Sequence, residues 1–372
     1  MAAPQHAATK VHLPDREDLR NRVDEALIAT LSRQRAVLAD VDSASNDLLS
    51  SIAGLLDGGK RLRPMFCYWG WRGTGREGNK AAIRAAAALE LFQAAALIHD
   101  DIIDRSDTRR GHPTVHRIFA DRHQRGSSGA AWRGDSGSFG AAAAILAGDL
   151  CLAWSSELLG LAVGEGPGVK REHGIAARKV YSTMSTQLMA GQYLDVLEQA
   201  EALGSVERAL HVIRFKSAKY TIEHPLLLGG ELAGAERSTL QTYSTYAIPL
   251  GEAFQLRDDM LGVFGDSTAT GKPTGDDLRE GKRTVLVALA TRDATAAQRQ
   301  VLEDAVGNSA ADENQLNDVR AILLDTGAAS QVEKMITRRV ADAELALAGG
   351  VIDPTAAEVL RELIAATTQR SA

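Results

Sequence analysis

The feature that most restricts this chain is a long apolar run with no alternation. Between residues 81 and 103 apolar side chains fill nearly every position until the run ends in His99, Asp100 and Asp101. Such a run is too long for a strand and lacks the period of two a strand needs. It reads as a helix covered on all sides. Residues 181–197, 210–229 and 238–264 also show helical patterning, whereas alternating Val, Ile, Thr and aromatic runs are almost absent. The expected fold is all-α, a single-domain helical bundle.

No linker divides the chain, so residues 21–372 are expected to form one domain. Residues 1–20 lack a continuous apolar core, so they read as a polar, disordered tail rather than a signal peptide. Residues 105–140 are rich in Arg, Gly, Ser and His and are expected to be a mobile loop. Residues 265–283 read as a second polar loop. The stretch 140–163 is long enough to span a bilayer but carries Asp149 and Glu157, both costly in lipid, so a buried helix is expected instead of a transmembrane segment. A net charge of −6 argues against nucleic acid as a partner. Cys67 and Cys151 stand far apart, which argues against a disulfide framework or a zinc cluster and fits a reducing cytoplasm.

The apolar run ends in Asp100, Asp101 and Asp104. Residues four apart share a helical face, so Asp100 and Asp104 project together. Like charges at the end of a buried helix repel one another and lose solvation, and a hard divalent cation would relieve that cost. A solvated helix end explains the carboxylates alone equally well. Arg109 and Arg110 follow closely, and guanidinium forks suit phosphate oxygens. Together they suggest a metal-bridged diphosphate.

A second apolar helix ends in Asp258 and Asp259, and the loop after it brings Asp266, Asp276, Asp277, Lys272 and Lys282. The two segments echo each other, each with paired carboxylates followed by a base and a proline. Gly58 and Gly59 precede Lys60, Arg61 and Arg63, a place where backbone amides could approach a phosphate. Lys216 and Lys219 fall on a predicted helix, where a lone lysine is ordinarily a solvated side chain.

Taken in chain order, GGKRLRP at 58–64, DDIID with TRRGHP at 100–113, GQYLD at 191–195, KSAKY at 216–220, FQLRDD at 254–259 and GKPTGDDLREGKRT at 271–284 resemble the trans-isoprenyl diphosphate synthases. Bacterial geranylgeranyl diphosphate synthases are the nearest likeness. The resemblance implies the isoprenoid synthase type of bundle, with a central apolar cavity, a homodimer and a cytoplasmic location. It implies Mg²⁺, about three ions per site, with Mn²⁺ as a substitute. By the resemblance Asp100, Asp104 and Asp258 are metal ligands, and Asp101 and Asp259 support them. Arg109, Lys216 and Lys272 contact the allylic diphosphate, with Lys282 a further substrate-binding lysine. Lys60, Arg63, Gln93 and Arg110 form the isopentenyl diphosphate site, and Gln255 and Ser217 lie beside a carbocation. Three positions depart from the family pattern. Gly262 stands where a third aspartate is usual, Ser217 where threonine is common, and Gln93 where histidine is frequent. Because Asp258 is expected to make the direct metal contact, Gly262→Asp is expected to leave catalysis within about tenfold.

The implied reaction is ionisation of the allylic C–O bond, attack by the isopentenyl double bond and loss of a proton to the released diphosphate. No protein nucleophile is required, and His99 reads as a packing or supporting residue. A terpene cyclase would not need the isopentenyl site, and a non-catalytic partner subunit would not need an intact first cluster. One helical turn rises about 5.4 Å, comparable to one isoprene unit, so Ala95 and Ala96 lie where a fifteen-carbon tail would end. Both are too small to block it, and Phe92, one turn further with Leu91, is the first large ring. The expectation is a floor near twenty carbons and geranylgeranyl diphosphate as main product, with a farnesyl or longer polyprenyl product as the alternative.

Overall fold

The computed structural model describes residues 16–126, 132–200, 205–265 and 275–368. Helices dominate, as expected. A 3₁₀ turn at Arg16–Asp18 leads into α1 (Leu19–Val41), α2 (Asn46–Leu56), α3 (Leu62–Arg72) and α4 (Lys80–Ile103). The pair β1 (Thr108–Arg109) and β2 (His112–Pro113) precedes α5 (Val115–Arg125), α6 (Ser136–Gly164), α7 (Arg171–Ala200) and α8 (Val206–Val212). A π-helical segment, Ile213–Glu223, joins α8 to α9 (His224–Ala233), followed by α10 (Arg237–Phe264). Then come α11 (Asp276–Arg279), α12 (Val285–Asp293), α13 (Ala296–Ala305), α14 (Glu313–Asp325), α15 (Ala328–Ala346) and α16 (Pro354–Thr368).

The described residues gather into two compact units. One comprises Asp15–Val180 with Pro225–Glu236, the other Tyr181–His224 with Arg237–Ala372. One cut lies inside α7, a second between His224 and Pro225, the opening residues of α9, and a third between Glu236 and Arg237, just before α10.

In the first unit α4 is the centre. Asn79 caps it by accepting from the N–H groups of Ala81 and Ala82. Its alanines lie flush, so α3 and α6 approach closely, and Leu89, Leu91 and Phe92 fill the gaps. The second unit is built on α10 and α15. Leu256, Val263, Leu278, Val285, Leu316, Val319 and Val332 form its core.

Four expectations are corrected. The segment 105–140 is not one loop. It holds a two-residue hairpin, the whole of α5 and the start of α6, leaving only residues 127–131 outside the described ones. Helix α5 forms because Val115, Phe119, Ala120 and His123 recur at helical spacing and are buried. The tail is shorter than expected, since the buried Leu19 already opens α1. Within 265–283, residues 276–279 make a helical turn, while Asp266 and Lys272 lie outside the described residues. Finally, α4 and α6 are both long and apolar enough to cross a membrane by length and composition, but they differ in cover. The apolar window of α4 is 78% buried, whereas that of α6 is 28% buried. The expected helix at 140–163 is therefore real but not enclosed. Ile145 and Leu146 lie on its open side, in a stripe that also holds the exposed Asp149 and Glu157.

Candidate active site

In the first unit the site is built on the C-terminal turn of α4. Asp104 is its C-cap, its N–H donating to the Asp100 carbonyl at 2.8 Å. The negative end of the helix dipole and the carboxylates of Asp100 and Asp104 coincide there, which favours a cation. Asp101 points the other way and is buried. It accepts a two-pronged bond from Arg109, Nη2 at 2.6 Å and Nε at 2.9 Å. Asp100 stands 3.9 Å from the same guanidinium. Desolvation pulls the Arg109 pKa down. The bond Arg109 donates to Asp101, with the charges of Asp101, Asp100 and Asp104, outweighs this and holds it above its ordinary value.

The TRRGHP motif is a β-hairpin. Thr108 pairs with Pro113 and Arg109 with His112, leaving Arg110 and Gly111 as its two-residue turn. Both have positive φ, 53° and 78°, as a type I′ turn demands. Arginine in that conformation is strained, which is common where a side chain is presented for function. Withdrawal from water lowers the Arg110 pKa, and the like charges of Arg109, Arg61 and Arg63 lower it further against the opposing Glu90. Arg110 and Arg63 thus share one positive field. Lys60 is exposed, and Gln93 and Arg63 are half-buried.

Arg61 is a structural residue. Its guanidinium is buried and donates to Asp24 at 2.7 Å, Glu90 at 2.9 Å and the Leu56 carbonyl at 2.7 Å. A Cβ at Gly59 would stand 2.5 Å from Arg61 Nη1, so this glycine leaves room for the buried guanidinium, whereas its neighbour Gly58 faces open space. His99 packs between α4 and α6, its Nε2 3.3 Å from the Ile145 carbonyl and 3.7 Å from Asp149. A Cβ at Gly148 would fall on the His99 ring, so the packing role expected for His99 has a matching glycine. On α4 the row that starts at Asp100 runs through Ala96 to Phe92. Ala96 on that row is half-buried, whereas Ala95 is fully buried and belongs to the row of His99.

In the second unit Lys216 and Ser217 sit on the π-helical segment. Such segments cluster at functional sites. Two glycines admit it. A Cβ at Gly191 on α7 would stand 2.9 Å from the Lys216 nitrogen, and one at Gly251 on α10 would fall on the Cα of Ala218. One turn beyond Gly191, Asp195 bonds Lys216 Nζ at 2.6 Å. Ser217 donates to Gln255 Oε1 at 2.7 Å, and Gln255 donates to Asp259 at 2.8 Å. Burial raises the Asp259 pKa to about 7; the Gln255 bond opposes this, and Asp277 and Asp258 add to it. Asp258 beside it is exposed. Lys282 bonds Asp277 and Glu280, each at 2.8 Å.

Asp195, the last residue of GQYLD, and Asp277, in the loop after α10, were given no role in the sequence; the structure pairs them with Lys216 and Lys282. Besides the GQYLD motif, the signal for Asp195 is its spacing of four from Gly191 on one helical face. Among the described residues no three His, Cys, Asp or Glu side chains form a ready cation cage. Asp100 and Asp104 suit a hard cation that takes part of its oxygen shell from water or substrate phosphate.

The Polyprenyl synthetase family profile matches residues 46–323. The chain is 34% identical over 299 residues to the geranylfarnesyl diphosphate synthase of Aeropyrum pernix, covering 80% of this chain and 86% of that one. It is 31% identical over 266 residues to the geranylgeranyl diphosphate synthase of Saccharolobus solfataricus, covering 72% and 73%. Its fold superposes with a TM-score of 0.90 on a crystal structure of geranylgeranyl pyrophosphate synthase from Corynebacterium glutamicum, complexed with isoprenyl diphosphate and magnesium, at 36% identity over 96% of this chain and 100% of that one. With the aspartate-ended helix, the arginine hairpin and the lysine on its π-helical segment all in place, this chain belongs to the polyprenyl synthetase family and is a prenyltransferase.

Proposed function

We propose that the chain catalyses Mg²⁺-dependent head-to-tail (1′-4) condensation of isopentenyl diphosphate with dimethylallyl, geranyl or farnesyl diphosphate, yielding mainly geranylgeranyl diphosphate. The observation that carries this reading is the end of α4, where Asp100 and Asp104 share one face and Asp101 holds Arg109 beside them. Asp100 and Asp104 act as metal ligands, and Asp258 is a further ligand. When bound, Mg²⁺ supplies positive charge to the departing diphosphate. Arg109, Lys216 and Lys272 bind the allylic diphosphate, and Lys282 is a further substrate-binding residue. Lys60, Arg63, Gln93 and Arg110 bind isopentenyl diphosphate. Ser217 and Gln255 orient each other through their bond and present oxygen dipoles to cationic carbon. Asp259 is a supporting residue that anchors Gln255.

Product length follows the row Asp100, Ala96, Phe92. The small Ala96 lets the chain pass and Phe92 stops it, which supports a product of about twenty carbons. Relatives of similar identity are named for different products, geranylfarnesyl and geranylgeranyl diphosphate, so sequence likeness alone does not choose between them. The open side of α6 supports a homodimer, because covering its exposed Ile145 and Leu146 is stabilising. Two buried, unpaired thiols support a cytoplasmic location.

The test is turnover by the purified chain with isopentenyl diphosphate, Mg²⁺ and each allylic primer in turn, with products identified by mass. Geranylgeranyl diphosphate is expected. No consumption with any primer would sink the condensation reading, while a farnesyl or longer main product would remove only the chain-length assignment.

A further inference from the structure

The loop 57–61 joins α2 to α3 and carries Lys60, with Arg63 in the first turn beyond it. Two of its residues are left-handed, Gly58 at φ 72° and Arg61 at φ 55°. Glycine adopts that region freely, but an arginine stays there only if its surroundings hold it. Arg61 is held by its bonds to Asp24, Glu90 and the Leu56 carbonyl. A second grip lies two residues earlier. Gly59 is buried, and its carbonyl accepts from Arg20 Nη2 at 3.0 Å. A buried carbonyl is costly to leave without a partner.

Arg20 and Asp24 stand four apart, so both grips come from one face of α1. Just before that helix, Glu17 accepts from Arg72 Nε on α3 at 3.0 Å and from the Tyr68 hydroxyl. Leu19, Val23 and Leu27 are buried and seat α1 itself, which packs on α4. The loop is thus fastened to a helix that lies before residues 46–323, the stretch matching the family profile.

We infer that Arg20 and Asp24 are positioning residues for isopentenyl diphosphate: from α1 they set the backbone of loop 57–61, and with it the aim of Lys60 and Arg63. The inference rests on the isopentenyl-binding role given above to Lys60 and Arg63; the fastening of the loop does not. These bonds end on the loop and on α3 rather than on Asp100 or Asp104. A change at the clamp should therefore weaken isopentenyl diphosphate and spare the allylic diphosphate.

Arg20→Ala, Arg20→Lys and Asp24→Asn are prepared as full-length protein. Arg33→Ala serves as a control on the same helix, where Arg33 stands 3.6 Å from Glu157 on α6. Hydrogen exchange across 57–62 should quicken about fivefold or more in Arg20→Ala and Asp24→Asn and keep the wild-type rate in the control. Calorimetric affinity for isopentenyl diphosphate should fall about tenfold in the same two variants, while Arg20→Lys, which keeps a charged donor, should stay within about threefold of wild type. In turnover, KM for isopentenyl diphosphate should rise by about tenfold and KM for the allylic diphosphate should stay within about twofold. Should Asp24→Asn fail to fold, Arg20→Ala decides, because it leaves Arg61 these three partners. Unchanged exchange and affinity in Arg20→Ala would overturn the inference. So would equal rises in both KM values, the mark of a general structural defect, or weaker affinity without faster exchange, the mark of lost charge alone. A wild-type chain that binds isopentenyl diphosphate but never consumes it would defeat the condensation reading instead, and exchange and affinity would still judge the clamp. One that binds none would overturn both.

Discussion

Asp100 and Asp101 are neighbours in the chain but differ in chemistry. Asp101 is buried and spends both oxygens on Arg109, whereas Asp100 remains partly open beside Asp104. Replacing Asp100 or Asp104 by Ala should lower turnover about 10³-fold, roughly 4 kcal/mol of barrier, with an unchanged far-UV spectrum. Full activity of either variant, or of wild type in EDTA, would remove the metal assignment. These residues were legible in the sequence because the helix period fixes which carboxylates share a face. The closeness of Asp277 to position 262 was not, because it is set by how a loop folds back. A second residue hidden from pattern reading is His224. It is buried, its Nε2 bonded to Gln187 at 2.9 Å. Desolvation depresses its pKa to about 4, with Glu223 opposing and Lys219 adding to the shift. The folded state thus resists protonation that the unfolded chain accepts near pH 6.5. The stability this gives is fully present above pH 6.5 and is lost as pH falls towards 4, at most about 3 kcal/mol. His224→Gln should flatten the denaturant-midpoint profile across that window; an unchanged profile would show that other groups set it.

At the scale of elements, the long helices were readable and their interruptions were not. Residues 210–229 look like one helix in sequence, because nothing in composition separates an i→i+5 bond from an i→i+4 bond. The π-helical segment becomes visible only through the bare surfaces of Gly191 and Gly251 that receive it. Gly251→Ala should displace Lys216 and Ser217 and cut turnover about 100-fold, while Gly251→Ser should be no milder. Near-normal kinetics in Gly251→Ala would mean the segment can yield without moving either side chain. Helix α5 was hidden for a different reason. Its buried stripe is regular, but the glycines and serines after it made the whole region read as loop. For α4, the row through Ala96 makes a sharper test of product length than Ala95. Ala96→Phe should shift the main product to about fifteen carbons and Phe92→Ala should lengthen it, as read by product mass. Unaltered products in both would mean that this helix does not measure the chain.

For the whole molecule, the question is what covers α6. The long apolar stretch in sequence gave the helix correctly but not its surroundings, because apolar periodicity cannot distinguish burial within a chain from burial against another. Ile145→Lys with Leu146→Lys should convert a dimer into a monomer in sedimentation, with little change in monomer helicity. A wild-type chain that already sediments as a monomer at micromolar concentration would end the dimer proposal.

The π-helical segment also bears on how such a chain can change over time. Each wide turn takes up residues that a regular helix would not, so a single-codon deletion within 213–223 could restore an uninterrupted 3.6-residue repeat. That deletion would favour the local backbone, yet it would rotate everything on one side of it by about 100°. Lys216 would leave Asp195, and Ser217 would leave Gln255. Length variation in descendants of this gene should therefore accumulate in the segments outside this helix and be nearly absent within it, a pattern that deep insertion–deletion scanning can read directly.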